Sequence, residues 1–281
     1  MPSRQVRAGV IGWPVKHSRS PVIHNYWLKK YGIEGLYELI PLEPQESEDF
    51  FRTFTDSGFT GANVTIPFKE TAFHCISETD EIARRLGAVN TIYSENGTVR
   101  ATSTDGYGFL AHLKECLPGW KPNAGAAVIL GAGGAARAIA GALIDEGVED
   151  IRIVNRTRER AVELALTLDS SLKVFDWVKR AEVLGDAGLL VTTTALGMTG
   201  NRALEIELAG MPDNSVVYDI VYTPLETDLL RRARARGLFC VDGLGMLLHQ
   251  AVPGFELWFG KRPEVTSELR NLVIASLKGS Q

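Results

Sequence analysis

Apolar and polar residues change their spacing several times along the first third of the chain, which predicts strands alternating with helices. Short runs rich in β-branched and aromatic residues occupy 7–12 (RAGVIG), 35–42 (GLYELIPL) and 61–66 (GANVTI). Two further runs, AVNTIYS and TVRATS, flank Asn96-Gly97, a dipeptide that strongly favours a hairpin turn. The order βαβαβαββ with short connections predicts an α/β domain whose sheet is mainly parallel and includes one antiparallel pair.

Signals at element ends locate the helices of this region. Ser20 with Pro21 behind it is predicted to be an N-cap and a first helical position, and Gly32 to follow the last helical residue. Further helices are predicted at 46–58 (ESEDFFRTFTDSG), 68–76 (FKETAFHCI) and 78–87 (ETDEIARRLG).

The middle of the chain repeats the alternation after a polar loop at 118–125 (PGWKPNAG), which is predicted to be a hinge or linker. Strands are predicted around AAVIL, IRIV, LKVF, LLVTTT and SVVYDIV, and helices in AARAIAGALIDEG, RERAVELALTL and 178–188 (VKRAEVLGDAG). This pattern predicts a doubly wound unit. The last forty or so residues, from Val241, are predicted to be helical.

Composition and charge narrow the classes of function. The 281 residues are 45% hydrophobic and carry a formal net charge of -4, and no apolar run approaches the roughly 18 residues of a spanning helix. A nucleic-acid partner is not expected, since no domain has a basic excess, and we expect a cytoplasmic protein because the first residues lack a signal-peptide pattern. Three dispersed cysteines and five histidines without an HExxH pattern predict neither a disulfide nor a metal site.

A glycine-rich turn is the clearest local motif. Gly131, Ala132, Gly133, Gly134 and Ala135 fit GxGxx(G/A), and they lie between a buried strand and a helix of small residues. Glycines permit a tight turn and let backbone N–H groups meet a pyrophosphate, while the helix N-terminus adds partial positive charge. This context predicts a dinucleotide site.

The end of the next strand selects the dinucleotide. A free ribose 2′-hydroxyl is usually met there by Asp or Glu, whereas this chain has Asn155, Arg156 and Thr157, with Arg160 on the first turn of the following helix. A guanidinium group makes bidentate contacts to phosphate, so the residues favour NADP over NAD. Arg158 is equally consistent with an exposed basic helix start.

Several separated motifs together resemble the shikimate dehydrogenase family over nearly the whole chain. They are HSRSP (17–21), NVTIPFK (63–69), GAVNT (87–91), TDGYG (104–108), GAGGAA (131–136), NRT (155–157), DIVYTPLETDLL (219–230) and GLGMLLHQAVPGFELWFG (243–260). The resemblance implies a substrate-binding domain, 1–104, completed by C-terminal helices in 242–281, and a Rossmann-type NADP domain, 105–241, with the active site in the cleft between. It also implies reversible reduction of 3-dehydroshikimate to shikimate, a step of chorismate and aromatic amino-acid biosynthesis.

The resemblance also assigns residues by position. It implies that Ser18 and Ser20 bind the substrate carboxylate, with Tyr222 nearby, and that the ring hydroxyls meet Asn63, Thr65, Asn90, Asp105 and Gln250. Further cofactor contacts are implied for Thr194, Ile220, Gly243 and Met246. Short neutral side chains with fixed geometry suit a polyhydroxylated ring.

Lys69 has a chemical role in this reading. Reduction of a ketone by hydride produces an alkoxide, which an adjacent ammonium group can stabilise and protonate. We expect Lys69 to be the acid/base and Asp105 to hold it in place and favour its charged form. The reverse reaction needs a neutral lysine, so oxidation of shikimate should improve at alkaline pH.

Three positions depart from the family pattern. Ser103 and Thr192 stand where Asn is usual, and Ala195 stands where Ser is common. Two alternatives therefore remain open, a quinate or aminoshikimate dehydrogenase of the same fold and a non-catalytic NADP-binding sensor. The sequence leaves a monomer and a homodimer equally open.

Overall fold

The computed structural model describes residues 5–278, which form two compact units. Residues 5–105 and 247–278 form the first unit, and residues 106–246 form the second. The first unit is therefore built from both ends of the described chain. The loop at 118–125 lies inside the second unit, so the prediction that it links two domains is wrong.

Six strands build the sheet of the first unit: β1 (Val6–Gly12), β2 (Gly35–Pro41), β3 (Gly61–Val64), β4 (Glu78–Thr79), β5 (Thr91–Glu95) and β6 (Thr98–Thr102). They lie in the order β2-β1-β3-β5-β6-β4. The sheet is mainly parallel, as predicted, but it has two antiparallel pairs instead of one, because β5 runs against both of its neighbours. Asn96 and Gly97 have φ of 52° and 80°, which confirms the predicted hairpin turn.

Ten helices lie within the described residues: α1 (Ser20–Tyr31), α2 (Ser47–Arg52), α3 (Lys69–Cys75), α4 (Glu81–Leu86), α5 (Asp105–Cys116), α6 (Gly134–Asp145), α7 (Arg158–Leu168), α8 (Asp228–Ala235), α9 (Gly243–Phe259) and α10 (Ser267–Lys278). The N-cap prediction for Ser20 is wrong, because Arg19 occupies that position and Ser20 is the first helical residue. Gly32 ends α1 with φ of 63°, as predicted.

The predicted helix over 46–58 is shorter in the structure. It ends at Arg52, because Thr53 leaves the helical region with φ of −108° and ψ of 23°. A short 3₁₀ turn, Phe54–Ser57, then continues to Gly58, whose φ is 80°.

The C-terminal segment of the first unit is anchored by indole hydrogen bonds. Trp258 Nε1 donates to the carbonyl oxygen of Ile92 at 2.8 Å, and Trp27 Nε1 donates to that of Glu264 at 3.0 Å. Both indoles are buried, so these bonds tie α9 and the segment before α10 to the N-terminal part of the unit.

The second unit contains the strands β7 (Ala126–Leu130), β8 (Ile151–Asn155), β9 (Lys173–Asp176), β10 (Ala187–Thr192), β11 (Val216–Asp219) and β12 (Phe239–Val241). Their order, β12-β11-β10-β7-β8-β9, is that of a doubly wound dinucleotide-binding sheet, which confirms the predicted fold class. Val128 and Leu130 of β7 pack into one core, whereas Ala127 and Ile129 pack into another, so both faces of the sheet are covered.

The predicted helix over 178–188 is wrong. Two 3₁₀ turns, Trp177–Lys179 and Glu182–Leu184, take its place. The carbonyl oxygen of Trp177 accepts the backbone N–H of Arg180, three residues on, and a bond from the Arg180 guanidinium as well, which favours the tighter turn.

Within residues 5–278, every helix is too short or too polar to pass through a lipid bilayer.

Candidate active site

A lysine and an aspartate meet in the first unit, although 36 residues separate them in sequence. Lys69 begins α3, Asp105 begins α5, and the ammonium group donates to Asp105 Oδ2. The side chains are 17% and 9% exposed, so the pair is mostly shielded from water while the ammonium stays reachable. This arrangement can hold a proton donor in one place beside a ligand.

Asn90 lies at the centre of the polar cluster around this pair. Its Nδ2 donates to Asp105 Oδ1 at 2.8 Å and to Gln250 Oε1 at 3.3 Å. Its Oδ1 accepts from the Thr104 backbone N–H at 2.8 Å and from the Thr91 hydroxyl at 2.9 Å. Both ends of the buried amide are engaged, which fixes its orientation.

Two residues of this cluster were not proposed from the sequence. Thr104 donates through its hydroxyl to the carbonyl oxygen of Gln250 at 2.8 Å, and Thr91 donates to Asn90. Thr104 stands in the TDGYG motif, next to Asp105, which was the only signal for it. The two threonines orient the side-chain amide of Asn90, and Thr104 also holds the backbone of Gln250.

The other proposed substrate residues of the first unit lie at three places. Asn63, on β3, donates through Nδ2 to the carbonyl oxygen of Asn90 at 3.2 Å. The hydroxyls of Ser18 and Ser20 lie 3.2 Å apart at the start of α1. Thr65 is half-buried in the loop after β3, and its methyl group approaches Gly12 so closely that a Cβ there would lie 2.5 Å from it.

A buried tyrosine and a buried histidine, which no sequence motif singled out, lie beside Asn63. The Tyr37 hydroxyl donates to Asn63 Oδ1 at 2.6 Å, and its ring stacks on that of His24 with centroids 4.0 Å apart. Burial lowers the pKa of His24 to about 3, against a smaller opposing effect of the Asn63 side chain. His24 is therefore neutral throughout the physiological pH range.

In the second unit, the glycine turn leaves no room for a side chain at Gly131, so backbone alone forms this part of the turn. Gly131 has φ of 121°, and a Cβ there would lie 2.2 Å from Thr193 Oγ1, which itself donates to the carbonyl oxygen of Leu130. Gly133 occupies the N-cap of α6 and is exposed, and α6 begins at Gly134. Ala132 is buried and Ala135 half-buried. The cradle fits a pyrophosphate at a helix N-terminus.

A cavity of about 620 Å³ opens beside the end of β8. It contains the proposed cofactor residues Asn155, Arg156 and Thr194, and its other lining residues are Trp177, Arg180, Ala195, Leu196, Asn201, Arg202, Ala203 and Glu205. The lining contains three guanidinium groups and one carboxylate, so its excess of positive charge suits an anionic ligand such as a phosphate group.

The neighbouring arginines and threonine differ in their surroundings. Arg180 lies 5.2 Å from the Trp177 ring centroid, and its Nε donates to the carbonyl oxygen of Glu205 at 2.8 Å. Arg158 pairs with Asp176 at 2.9 Å, so a structural role accounts for it. Thr157 and Arg160 are exposed near the start of α7 and do not line the cavity.

The remaining proposed contact residues follow β11 and β12, which lie across β10 and β7 from β8 in the sheet. A Cβ on Gly243 would lie 2.1 Å from the carbonyl oxygen of Ile220, so the start of α9 packs directly on the loop after β11. Tyr222 is half-buried in that loop, whereas Met246 is buried in the core. Their proposed ligand contacts stay predictions.

Thr192, one of the three departures, has a clear structural partner. Its hydroxyl donates to Asp219 Oδ1 at 2.5 Å, while Thr227 donates to Asp219 Oδ2 at 2.7 Å and caps α8. Asp219 is 1% exposed, and burial raises its pKa above the ordinary value, opposed by these hydroxyl bonds. The network fixes the loop after β11. Ser103 is buried and Ala195 lines the cavity.

We expect Asp219→Asn to change the pH dependence of stability. Since the folded-state pKa of Asp219 is raised, its contribution is fully present below the ordinary value of 3.8 and is lost as pH rises through the folded-state pKa. The wild-type protein should therefore lose stability relative to the variant as the pH rises from about 3.8 through the raised folded-state pKa of Asp219. Urea titrations at several pH values measure this difference in the free energy of unfolding.

Asp169→Asn is the matched control, because its carboxylate is exposed and the Ser171 backbone N–H lowers its pKa. For this residue the wild-type protein should instead gain stability relative to the variant as the pH rises through the lowered folded-state pKa to just above the ordinary value of 3.8. A difference for Asp219 that is independent of pH, or has the same sign as the control, contradicts the prediction.

Three family models match the chain. Residues 10–92 match the shikimate dehydrogenase substrate binding domain, residues 118–220 match shikimate / quinate 5-dehydrogenase, and residues 243–267 match the shikimate 5'-dehydrogenase C-terminal domain. The matched segments fall in both units and together make up most of the chain.

Individual relatives agree with these matches. The shikimate dehydrogenase (NADP(+)) of Paramagnetospirillum magneticum is 53% identical over 269 residues, which are 95% of this chain and 98% of the relative. Shikimate 5-dehydrogenase from Thermus thermophilus, solved with shikimate, has a TM-score of 0.85 and 35% identity, covering 98% of this chain and all of that one (100%). Quinate dehydrogenase from Corynebacterium glutamicum, solved with NAD, has a TM-score of 0.87 and 30% identity, covering 96% and 99%.

Proposed function

The chain belongs to the shikimate dehydrogenase family, and from that premise we propose that it reversibly reduces 3-dehydroshikimate to shikimate with Lys69 as the acid/base. It is an NADP-dependent oxidoreductase of the α/β class. The observation that carries the assignment of roles is the Lys69–Asp105 pair, held by Asn90 among hydrogen-bonding side chains.

Lys69 supplies the proton that the reaction needs. NADPH, when bound, supplies the hydride. As negative charge develops on the carbonyl oxygen of the substrate, the Lys69 ammonium stabilises it and donates a proton to it. Asp105 keeps the ammonium in position, and Asn90 in turn orients the Asp105 carboxylate. In shikimate oxidation the neutral amine accepts the hydroxyl proton.

The other residues bind and orient. We assign the substrate carboxylate to the Ser18 and Ser20 hydroxyls, a further substrate contact to Tyr222, and the ring hydroxyls to Asn63, Thr65, Asn90, Asp105 and Gln250. The glycine turn at 131–135 would hold the pyrophosphate of NADP, and Asn155, Arg156, Thr157 and Arg160 would hold its 2′-phosphate. Thr194, Ile220, Gly243 and Met246 would complete the cofactor site.

The function is tested by following NADPH absorbance with shikimate or quinate against NADP or NAD at alkaline pH. We expect NADPH formation with shikimate, and little with quinate or with NAD. The structural likeness to a quinate dehydrogenase makes quinate the alternative to measure. Equal turnover of quinate would replace the substrate assignment, and binding of NADP without turnover of either ring would favour a sensor.

Arg156→Ala should weaken NADP and spare NAD. Charge-assisted hydrogen bonds to phosphate contribute enough that we expect KM for NADP to rise about 10- to 50-fold. Arg158→Ala is the matched control, since Arg158 begins α7 two residues on but pairs with Asp176. Steady-state kinetics with both cofactors measure the effect. If the two variants behave alike, Arg156 has no special part in recognising the 2′-phosphate.

We infer that the protein acts in the cytoplasm on small molecules. Cys75, Cys116 and Cys240 are free thiols, which suits a reducing compartment.

A further inference from the structure

Tyr37 links the two groups of proposed substrate residues in the first unit. Its phenol donates to Asn63 Oδ1 at 2.6 Å, and while burial raises the pKa of this hydroxyl, a hydrogen bond with the Ser20 side chain opposes that rise. We propose that Tyr37 is a positioning residue for the ring substrate: its hydroxyl fixes the amide of Asn63 and aligns Ser20, so that both meet the substrate in a preset orientation. The proposal rests on the substrate-binding roles proposed above for Asn63 and Ser20.

Tyr37 is held in place through both its backbone and its ring. Asn25 bonds both backbone groups of Tyr37, donating to its carbonyl oxygen at 2.9 Å and accepting from its N–H at 3.1 Å. The ring is 1% exposed and stacks on His24 at an interplanar angle of 13°, with Trp258 5.7 Å away. A side chain held in this way presents its hydroxyl at one place, as a group that orients a binding residue must.

The direction of the hydrogen bonds follows from protonation. Burial raises the pKa of Tyr37 well above its usual range, so the phenol keeps its proton and donates it to Asn63 Oδ1. The opposite end of the amide, Nδ2, donates to the carbonyl oxygen of Asn90 and to the Thr91 hydroxyl, 3.3 Å away. A flipped amide would set its oxygen against the Asn90 carbonyl oxygen, so Asn63 has a single orientation.

The ring that stacks on the phenol, that of His24, carries no charge. His24 is 0% exposed, and its neutral ring stacks under Tyr37 across the pH range in which the enzyme is assayed. Removing the hydroxyl alone would therefore leave the aromatic packing intact but would release Asn63 and Ser20 from their shared partner. Substrate affinity should change more than the chemical step, because neither residue carries the reacting proton.

Tyr37→Phe tests the proposal, because it keeps the ring and removes only the hydroxyl. We expect KM and the dissociation constant for shikimate to rise about tenfold, while kcat and KM for NADP stay within about two-fold of wild type. Tyr26→Phe is the matched control, since Tyr26 lies on α1 and its hydroxyl has no hydrogen-bond partner among the described residues. It should leave all four constants unchanged.

A double-mutant cycle separates positioning from general damage. If Tyr37 acts through Asn63, the double variant Tyr37→Phe/Asn63→Ala should have nearly the same KM for shikimate as Asn63→Ala alone. Only a small further rise in KM, due to Ser20, is expected. Full additivity, an equal rise in KM for NADP, or a KM for shikimate close to wild type would each overturn the proposal. Equilibrium titration with shikimate keeps this test separate from the proposed function. Wild-type protein that binds shikimate without oxidising it would refute the function. The ratio of the dissociation constants of Tyr37→Phe and wild type would still test the role of Tyr37.

Discussion

Lys69→Ala should lower kcat for shikimate oxidation by about 10³- to 10⁴-fold, the range for loss of a general acid/base with its electrostatic stabilisation. The ammonium of Lys69 is held by Asp105 and stays reachable, and the described part of the cluster contains no second ammonium group. NADP binding should be unchanged, because the glycine turn and the Arg156 cavity belong to the other unit. Steady-state turnover and equilibrium titration of NADP measure the two quantities.

Lys29→Ala is the matched control, because it removes an exposed lysine at the end of α1. Added methylamine should partly restore turnover to the Lys69→Ala protein and have no effect on the control, because it replaces the missing amine. Wild-type turnover in Lys69→Ala would refute the acid/base role, and so would a loss of activity explained entirely by a higher KM for NADP.

Asp105→Asn should lower kcat/KM for shikimate by about 10²- to 10³-fold. The change removes the negative charge beside the ammonium and leaves one oxygen where two now accept from Lys69 and Asn90. The ammonium is then less firmly placed, and the Asn90 amide loses a charged partner. Circular dichroism checks that the variant is folded, and initial rates over a range of shikimate concentrations give kcat/KM.

Glu70→Gln provides the matched carboxylate control, because Glu70 follows Lys69 directly but is exposed. It should change kcat/KM by less than about two-fold. The double variant Lys69→Ala/Asp105→Asn should be little slower than Lys69→Ala, since Asp105 acts through the lysine. Independent, multiplying losses would mean that Asp105 acts on the substrate without Lys69.

Elements with strong local signals were predictable from the sequence. The hairpin at Asn96-Gly97 and the end of α1 at Gly32 were confirmed, because both require positive φ that few residues adopt. The dinucleotide-binding sheet followed from a glycine turn between a buried strand and a helix. Lys69 and Asp105 were paired through the family resemblance and lie in contact, while their roles stay predictions.

Long-range contacts were not predictable in the same way. A tyrosine in a strand is typical of a core residue, and the bond from Tyr37 to Asn63 depends on β1 lying between β2 and β3. Tyr37 aligns with Ala8 and through it with Gly61, so Asn63, two residues further along β3, shares its face of the sheet. The sequence does not encode this register locally.

The departures show a similar limit. Thr192 replaces an asparagine of the family pattern, and only the folded sheet brings its hydroxyl to Asp219 on the neighbouring strand. The 3₁₀ turns near Trp177 were missed because the Arg180 side chain competes for the carbonyl oxygen that a helix would use. The wider cavity was missed because Trp177, Arg180 and Arg202 lie far along the chain from Asn155 and Arg156 and share no motif with them.

The discontinuous first unit has a consequence for how the protein is made. The ribosome completes residues 106–246 before it makes the residues that finish the first unit, so the second unit can fold first even though it starts later. At about 5–20 residues per second, the nascent 5–105 segment waits roughly 7–30 s for the indole of Trp258 to reach Ile92. During that interval its unfinished core is open to chaperones, and Gln250 joins the Asn90 cluster only after residues 106–246 have been made.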